Sequence, residues 1–498
     1  MAADQDIKTL DNSVDRRAFL GTAAASVVGF PNVAVAQQHP PAGSSPAAQS
    51  EPVSEMIADF IVGFDLKNAP PLAIERSRTA FVDAIGVMLA GSQLPPAEIV
   101  GEVVRVTASA PAATIVGRPL RAAPQLAALA NGVAGHDMDF DLTYFAGQTI
   151  AGVIPAILPV AEASGATSAD MLSAFIIAAE VAGRVTRAAP LALRAGGWHS
   201  TGTIGVIAAA AACVRLMKVE AKRIPDILGI TTSLASGVSV NFGTMTKPLH
   251  AGHAAHDGVL AAMLGARGFT ANDKALEGKN GYYASFARGL PVSLEPFASL
   301  GKSYDLVDHG YSIKPYPCGG LGHTAIDAAL ELRHSINIGD LAHVDVAITK
   351  WAAGHITDRY PKTIEAAKFS APYLAAYSLV HGAPLLAAFT EQALQDDAVR
   401  AAAQKVSVTT YQEYADLLDD SPAKVTITLN DGRKIERAKY YPSGSVKSPM
   451  TAAQIKAKFD VCAAQAIDKA AAEKLYAMLS TLGSQPSLDG LWPLLRRA

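Results

Sequence analysis

Alanine-rich segments with apolar residues three and four apart follow one another from Pro52 to about Gly301, and this repetition limits the possible folds more than any other feature. AIERSRTAFVDAIGVMLAG, SADMLSAFIIAAEVAGRVTRA and TIGVIAAAAACVRLMKVEAKRIPDILGI each carry an apolar face and end at or near Gly or Pro, as helices do. Alanine lets helices approach closely, so residues 52–312 are expected to form a multi-helix domain. After Ser312 the texture changes. LAHVDVAITKW and KVSVTTYQEY alternate like strands, and KVTITLNDGRKIERAKYYPSG reads as a hairpin turning at Asp431-Gly432. Helical runs between them make residues 313–447 a smaller α+β domain. Residues 448–498 are helical again and are expected to return to the first domain, which gives a mainly α chain.

Half of the residues are hydrophobic and 17% are charged, enough to bury a large core and too apolar for a disordered chain. A formal net charge of -3 gives no reason to expect a nucleic acid or an anionic membrane as partner. Three cysteines, Cys213, Cys318 and Cys462, form neither a disulfide framework nor a zinc spacing. The N-terminus carries an address. In residues 13–36, Arg16 and Arg17 precede a short apolar run and then Ala34-Val35-Ala36, the layout of a twin-arginine export signal cleaved after Ala36. Residues 37–51 then read as a disordered linker, and the expected location is the periplasm. No later segment suits a membrane span, because the longest apolar run, Ile204 to Val214, is short and followed by Arg215.

Polar chemistry concentrates at a few turns. In NFGTMTKPLHAGHAAHDG, Gly243 and Pro248 punctuate a loop, Thr246 and Lys247 stand ahead of a helical pattern, and His250, His253, His256 and Asp257 follow at spacings of three or four or beside one another. A lysine and free backbone N–H groups at the positive end of a helix would suit a carboxylate. The plain alternative is a solvated surface lysine. A metal site on the three histidines is disfavoured, since they lack the spacing of a metalloprotease helix. In AGHDMDFDLTYFAGQ, Asp137, Asp139 and Asp141 alternate, a pattern that can raise one carboxyl pKa but lacks the glycine and glutamate of a calcium loop. RAGGWHSTGTIG places His199 before a helix that Ser200, Thr201 or Thr203 can cap. YSIKPYPCGGLGHTAIDA sets Lys314 at the domain junction, and EAAKFSAPYLAAYSLVHG puts Tyr373 at a helix start.

Together and in this order, these stretches resemble the MmgE/PrpD family, which includes 2-methylcitrate dehydratases, cis-aconitate decarboxylases and iminodisuccinate epimerases. HDMDFDLTY is similar to the family's HxxDFDDTH, GWHSTGTIG to GxHPTGTxG, GTMTKPLHAGHAA to GTMTKxLHAGxAA, IKPYPCGGLGHTAIDA to KPYPxCxxxHxxIDA, and KFSAPYLAA to FSLPYxxA. The resemblance covers about residue 52 to the C-terminus. It implies a large all-helical domain interrupted by a smaller α+β lid, a homodimer, and a site between the domains that needs no cofactor or metal. It also implies catalytic positions at Asp139, His199, Lys247, Lys314 and Tyr373, with Thr246, His250 and Asp141 contacting the substrate. The sequence departs from the pattern at Leu142 and Tyr144, at His253 in place of arginine, and at Gln148, where relatives carry a histidine; glutamine cannot exchange a proton.

These residue types suit removal of a proton beside a carboxylate, with lysines holding the charge that develops and His199 or Asp139 as base. Tyr373 or the histidine can return the proton or assist a leaving hydroxyl. The expectation is a lyase of a small di- or tricarboxylic acid, most simply a dehydratase. Epimerisation or decarboxylation passes through the same kind of carbanion, and a carboxylate-binding protein without turnover is the non-enzymatic alternative.

Overall fold

Two helices that meet backbone to backbone set the centre of the larger part. Pro124–His136 and Thr246–Ala266 cross where glycine faces glycine. A Cβ added to Gly132 would lie 2.7 Å from Gly252 Cα, and one added to Gly252 would lie 2.7 Å from Leu129 O. The buried helix Gly205–Leu216 and the helix Val153–Ser164 pack against this pair, and Ser168–Ala188 packs on both of those helices. Thr167 starts the last of these with a capping box to Asp170, and Gly165, with φ +64°, ends the one before it. Close crossing is what brings the C-terminal end of one helix, at His136, to the first turns of the other. Gly132→Ala is therefore expected to cost about 1–3 kcal/mol through overpacking, measured by urea unfolding. An unchanged midpoint would show that the helices can part freely.

This is a computed structural model, and it describes residues 51–497 except 108, 146, 191–195, 357–358, 412, 414–420 and 486. The expected export signal, and the linker up to residue 50, lie outside the described residues. The fold is mainly α with a minor β part. Among the described residues, the stretch read as helical contains two small exceptions, two-residue antiparallel ladders of Ala113–Thr114 on Arg121–Ala122 and of Thr143–Tyr144 on Tyr311–Ser312. Among the described residues no helix is long and apolar enough to cross a membrane.

The second hydrophobic core lies under a four-stranded sheet. Its order is Val406–Thr410, Leu341–Ile348, Ala423–Leu429, Lys434–Lys439, with the first pair parallel and the others antiparallel. Alternate residues Ala423, Val425, Ile427 and Leu429 point inward, and the helices His323–Leu332 and Ala371–Val380 share that core. The expected hairpin turns at Gly432, whose φ of +84° glycine adopts without strain. The exposed outer strand is guarded by charge, with Arg437 and Lys439 paired to Glu331.

The C-terminal helices Ala452–Ala463 and Lys469–Ser480 place Phe459, Leu475 and Leu479 in the same core as Phe81 and Phe175. The chain crosses from the helical part at Tyr311–Ser312, which pairs antiparallel with Thr143–Tyr144. Ile313 N then donates to Gly444 O at 2.9 Å, where the chain comes back. This crossing lays Lys314 beside the turn that carries Asp139. All three cysteines are free and buried, as small apolar side chains.

Candidate active site

Helix Pro124–His136 ends in a turn that holds Asp139 at φ +49°, a left-handed conformation that aspartate tolerates better than most residues. Three buried ammonium groups from three separate segments grip the carbonyls of this turn. Lys368 Nζ donates to Asp137 O at 2.7 Å, Lys314 Nζ to Asp139 O at 2.9 Å, and Lys458 Nζ to Phe140 O at 2.7 Å. The turn is thus held from the sheet-bearing part, from the crossing segment and from a C-terminal helix at once.

The Asp139 carboxylate is the centre of the polar cluster. Its Oδ1 lies 2.5 Å from Lys314 Nζ and 3.2 Å from Lys247 Nζ, and it accepts from Gln148 Nε2 at 2.6 Å. Burial alone would raise its pKa, but the charges of Lys247 and Lys314 hold it well below the usual carboxylate range. Asp137 goes the other way, raised by burial against the weaker pull of Lys368. Asp137 and Asp139 are both buried and therefore differ through how strongly lysines pair with them, rather than through simple repulsion between carboxylates.

From Lys247 the network continues to His136, whose Nε2 lies 3.3 Å away. His136 Nδ1 faces both oxygens of Asp141 at 3.0 Å, so a proton there is donated to Asp141 and Nε2 is left to accept from the ammonium. Gln148 closes the loop by also donating to Asp141 Oδ1 at 3.0 Å. The result is an alternating row of Asp141, His136, Lys247, Asp139 and Lys314. Gln148 ties its two carboxylates together and has no proton to exchange.

Lys247 lies in the helix Thr246–Ala266, not ahead of it as the sequence suggests, because Pro248 falls in the first turn, where a missing N–H breaks no helical bond. An ammonium at the positive end of a helix is unfavourable. Here Asp139 opposes that cost, although burial still lowers the Lys247 pKa. Its Nζ also stands 5.8 Å from the centre of the Phe242 ring and 5.4 Å from that of Phe369. Of the alternating row only Lys247, Lys314 and Asp139 line the cavity, two ammonium groups to one carboxylate, with Asp141 set behind them, so an anion there meets the positive side of the network.

His199 is the N-cap residue of the short helix Ser200–Thr203 and makes no side-chain cap; Ser200, Thr201 and Thr203 do not cap that helix either. Its backbone is paired instead with the 237–239 segment, His199 N donating to Gly237 O at 3.0 Å and Ser239 N to Gly197 O at 2.9 Å. Its ring stacks on His136 at 5.5 Å and meets Phe242 edge-on at 4.8 Å. Its Nδ1 lies 2.9 Å from His250 Nδ1. Burial, then the charge of Lys247, pushes the His199 pKa well below 6.5, and burial takes His250 down to about 4. Both rings are neutral at pH 7.

A cavity of about 210 Å³ opens onto this cluster between the helical and sheet-bearing parts. That is below the about 300–1,000 Å³ of drug-sized sites, so a small ligand suits it. Asp139, His199, Lys247 and Lys314 all line it, as do Gln148 and His323. Phe242, Phe369, Trp198 and Trp351 form an apolar wall that keeps these charges out of bulk water. The remaining expected site residues are not among those lining this cavity. His250 stands behind His199, and Asp141 behind His136 and Gln148. Thr246 is half-buried at the first position of its helix. Tyr373 sits in the second core, where its phenol donates to Ala388 O among the rings of Tyr360, Tyr377 and Phe389.

Sequence reasoning passed over His136 and Lys368, although they open the quoted HDMDFDLTY and KFSAPYLAA stretches, and it gave no sign of Lys458. The histidines weighed for a metal diverge in space. His253 and His256 lean on Asp257 at the surface while His250 points at His199, and among the described residues no group of three or more metal-binding side chains forms.

Comparison with known proteins places this arrangement in a wider group. The chain is 26% identical over 461 residues to the cis-aconitate decarboxylase of Mus musculus, covering 89% of this chain and 93% of that protein. The cis-aconitate decarboxylase of Homo sapiens is also 26% identical, over 456 residues, covering 89% and 94%. That of Aspergillus terreus is 26% identical over 473 residues, covering 89% and 96%. Residues 55–295 match the MmgE/PrpD N-terminal domain and residues 316–483 the MmgE/PrpD C-terminal domain. With both domains matched in order, the chain belongs to the MmgE/PrpD family.

Proposed function

We propose that the protein is a lyase of a small di- or tricarboxylic acid, working at the carbon next to a carboxylate. The observation that carries this reading is the convergence of Lys247, Lys314 and the neutral imidazole of His199 on one small cavity. Substrate carboxylates would share the two ammonium groups with Asp139, whose depressed pKa makes it a poor base at neutral pH. His199 is then the group that takes the α-proton. The ammonium charges stabilise the resulting enediolate within an aromatic wall, where such interactions are stronger than in water. Loss of a β-hydroxyl as water gives the alkene, so dehydration is the leading reaction, and it calls on side chains alone.

Decarboxylation is the second reading, favoured by the names of the relatives. Loss of carbon dioxide leaves a carbanion on the carbon that bore it, and a proton taken up from solvent at His199 would be passed on to quench it, returning the ring to its neutral form. The twin-arginine segment and the family resemblance add to the proposal an exported protein that acts as a homodimer.

The test is a panel of di- and tricarboxylic acids, including cis-aconitate and 2-methylcitrate, incubated with purified protein in deuterium oxide. New ultraviolet absorbance marks an alkene, released carbon dioxide marks decarboxylation, and deuterium uptake without either marks epimerisation. Tight binding with none of the three would leave a carboxylate-binding protein and end the lyase reading.

A further inference from the structure

His199 lines the cavity and His250 does not, yet their Nδ1 atoms stand 2.9 Å apart. Two neutral imidazoles at that distance hold one hydrogen between them, one ring donating and the other accepting. The backbone fixes the pair. Gly237, the residue whose carbonyl holds His199 N, also covers the His250 ring: a Cβ there would lie 3.1 to 3.3 Å from three ring atoms, and φ is +110°. One segment thus sets both rings.

We propose that His199 and His250 form one proton-holding unit, in which His199 exchanges a proton with the ligand through Nε2 and His250 stores it. This rests on the lyase reading above. In the resting unit His199 carries its proton on Nδ1 and donates it to His250 Nδ1, while His250 carries its own on Nε2. When His199 Nε2 takes a proton from carbon, its Nδ1–H bond breaks and a His250 Nδ1–H bond forms. His250 becomes the imidazolium and His199 stays neutral with Nε2–H facing the cavity. Return of the proton, to a departing hydroxyl or a carbanion, reverses each transfer. His250 is then a positioning and storage residue, not a substrate contact.

The groups that act on this equilibrium are the His136 ring against His199, Lys247 and His253 on the helix that carries His250, and Asp139 on the facing turn. Nitrogen-15 spectra of the histidine-labelled full chain test the unit directly. The expected result is one ring protonated on Nδ1 and one on Nε2, scalar coupling between the two Nδ1 atoms, and an imidazolium that forms on His250 as pH falls. His250→Asn offers an oxygen to the His199 Nδ1–H but cannot take its proton. It should lower kcat by about 10² or more, leave KM unchanged and shift the acid limb of the pH profile. Wild-type turnover in that variant, absence of the coupling, or an imidazolium on His199 would each overturn the proposal. Should the wild-type protein turn over none of the acids tested, the lyase reading falls while the spectra still decide the pair.

Discussion

Lys247→Met is expected to lower kcat/KM for whichever acid the wild-type protein converts by about 10²–10³-fold, as loss of one preorganised charge-stabilising donor does, while the folded state survives. Lys247 is buried and paired, so its removal would ordinarily be costly. Breaking a buried ion pair costs about 3–5 kcal/mol because the abandoned partner is left as an uncompensated charge. Asp139 is not abandoned here. Its Oδ1 keeps Lys314 at 2.5 Å and Gln148 at 2.6 Å, and the protein no longer has to desolvate an ammonium at the positive end of a helix. The urea midpoint should therefore stay near the wild-type value. Lys314→Met makes the contrast, because that ammonium also holds Asp139 O and Cys318 O, and both stability and turnover should fall. If Lys247→Met unfolds as readily as Lys314→Met, or keeps its turnover, the division of labour between the two lysines is wrong.

The sequence reveals this division only in part. The helices, the hairpin at Gly432 and the change of texture near Ser312 are local facts of periodicity and turn chemistry, and the folded chain follows them. Asp139, His199, Lys247 and Lys314 stood out because each is a polar residue at a turn, and all four reach the cavity. Tyr373 shows where that signal stops. It has the same local setting, but its phenol finds a backbone carbonyl 15 residues on, and nothing local distinguishes that end from a catalytic one. His136 was harder to see for the opposite reason. It ends an ordinary helix, and its importance comes from Lys247, 111 residues away. Pro248 misled in a third way, since proline breaks a helix in its interior and is tolerated in the first turn.

Lys458→Met is expected to destabilise the fold by about 3–5 kcal/mol, a far larger loss than Lys247→Met. Lys458 lies 2.6 Å from Asp83 Oδ1 deep between two helices, and among the described residues Asp83 has no second cation of the kind Asp139 has. Burial already raises the Asp83 pKa against the pull of Lys458, and without the lysine it rises further. A carboxyl whose folded pKa is raised destabilises the fold above that pKa, and the cost fades as pH falls toward the unfolded value near 3.8. Urea unfolding should thus show the widest gap between variant and wild type at neutral pH and a narrower one near pH 4.5. Replacing both members, as Asp83→Leu with Lys458→Met, should recover most of the stability, since no buried charge is left over. Turnover should not return with it. Lys458 also holds Phe140 O at 2.7 Å and covers the Phe140 ring at 3.9 Å, next to the strained Asp139, and an apolar pair cannot hold that carbonyl. A double variant that regains both stability and full activity would show that the turn keeps its shape without the third ammonium.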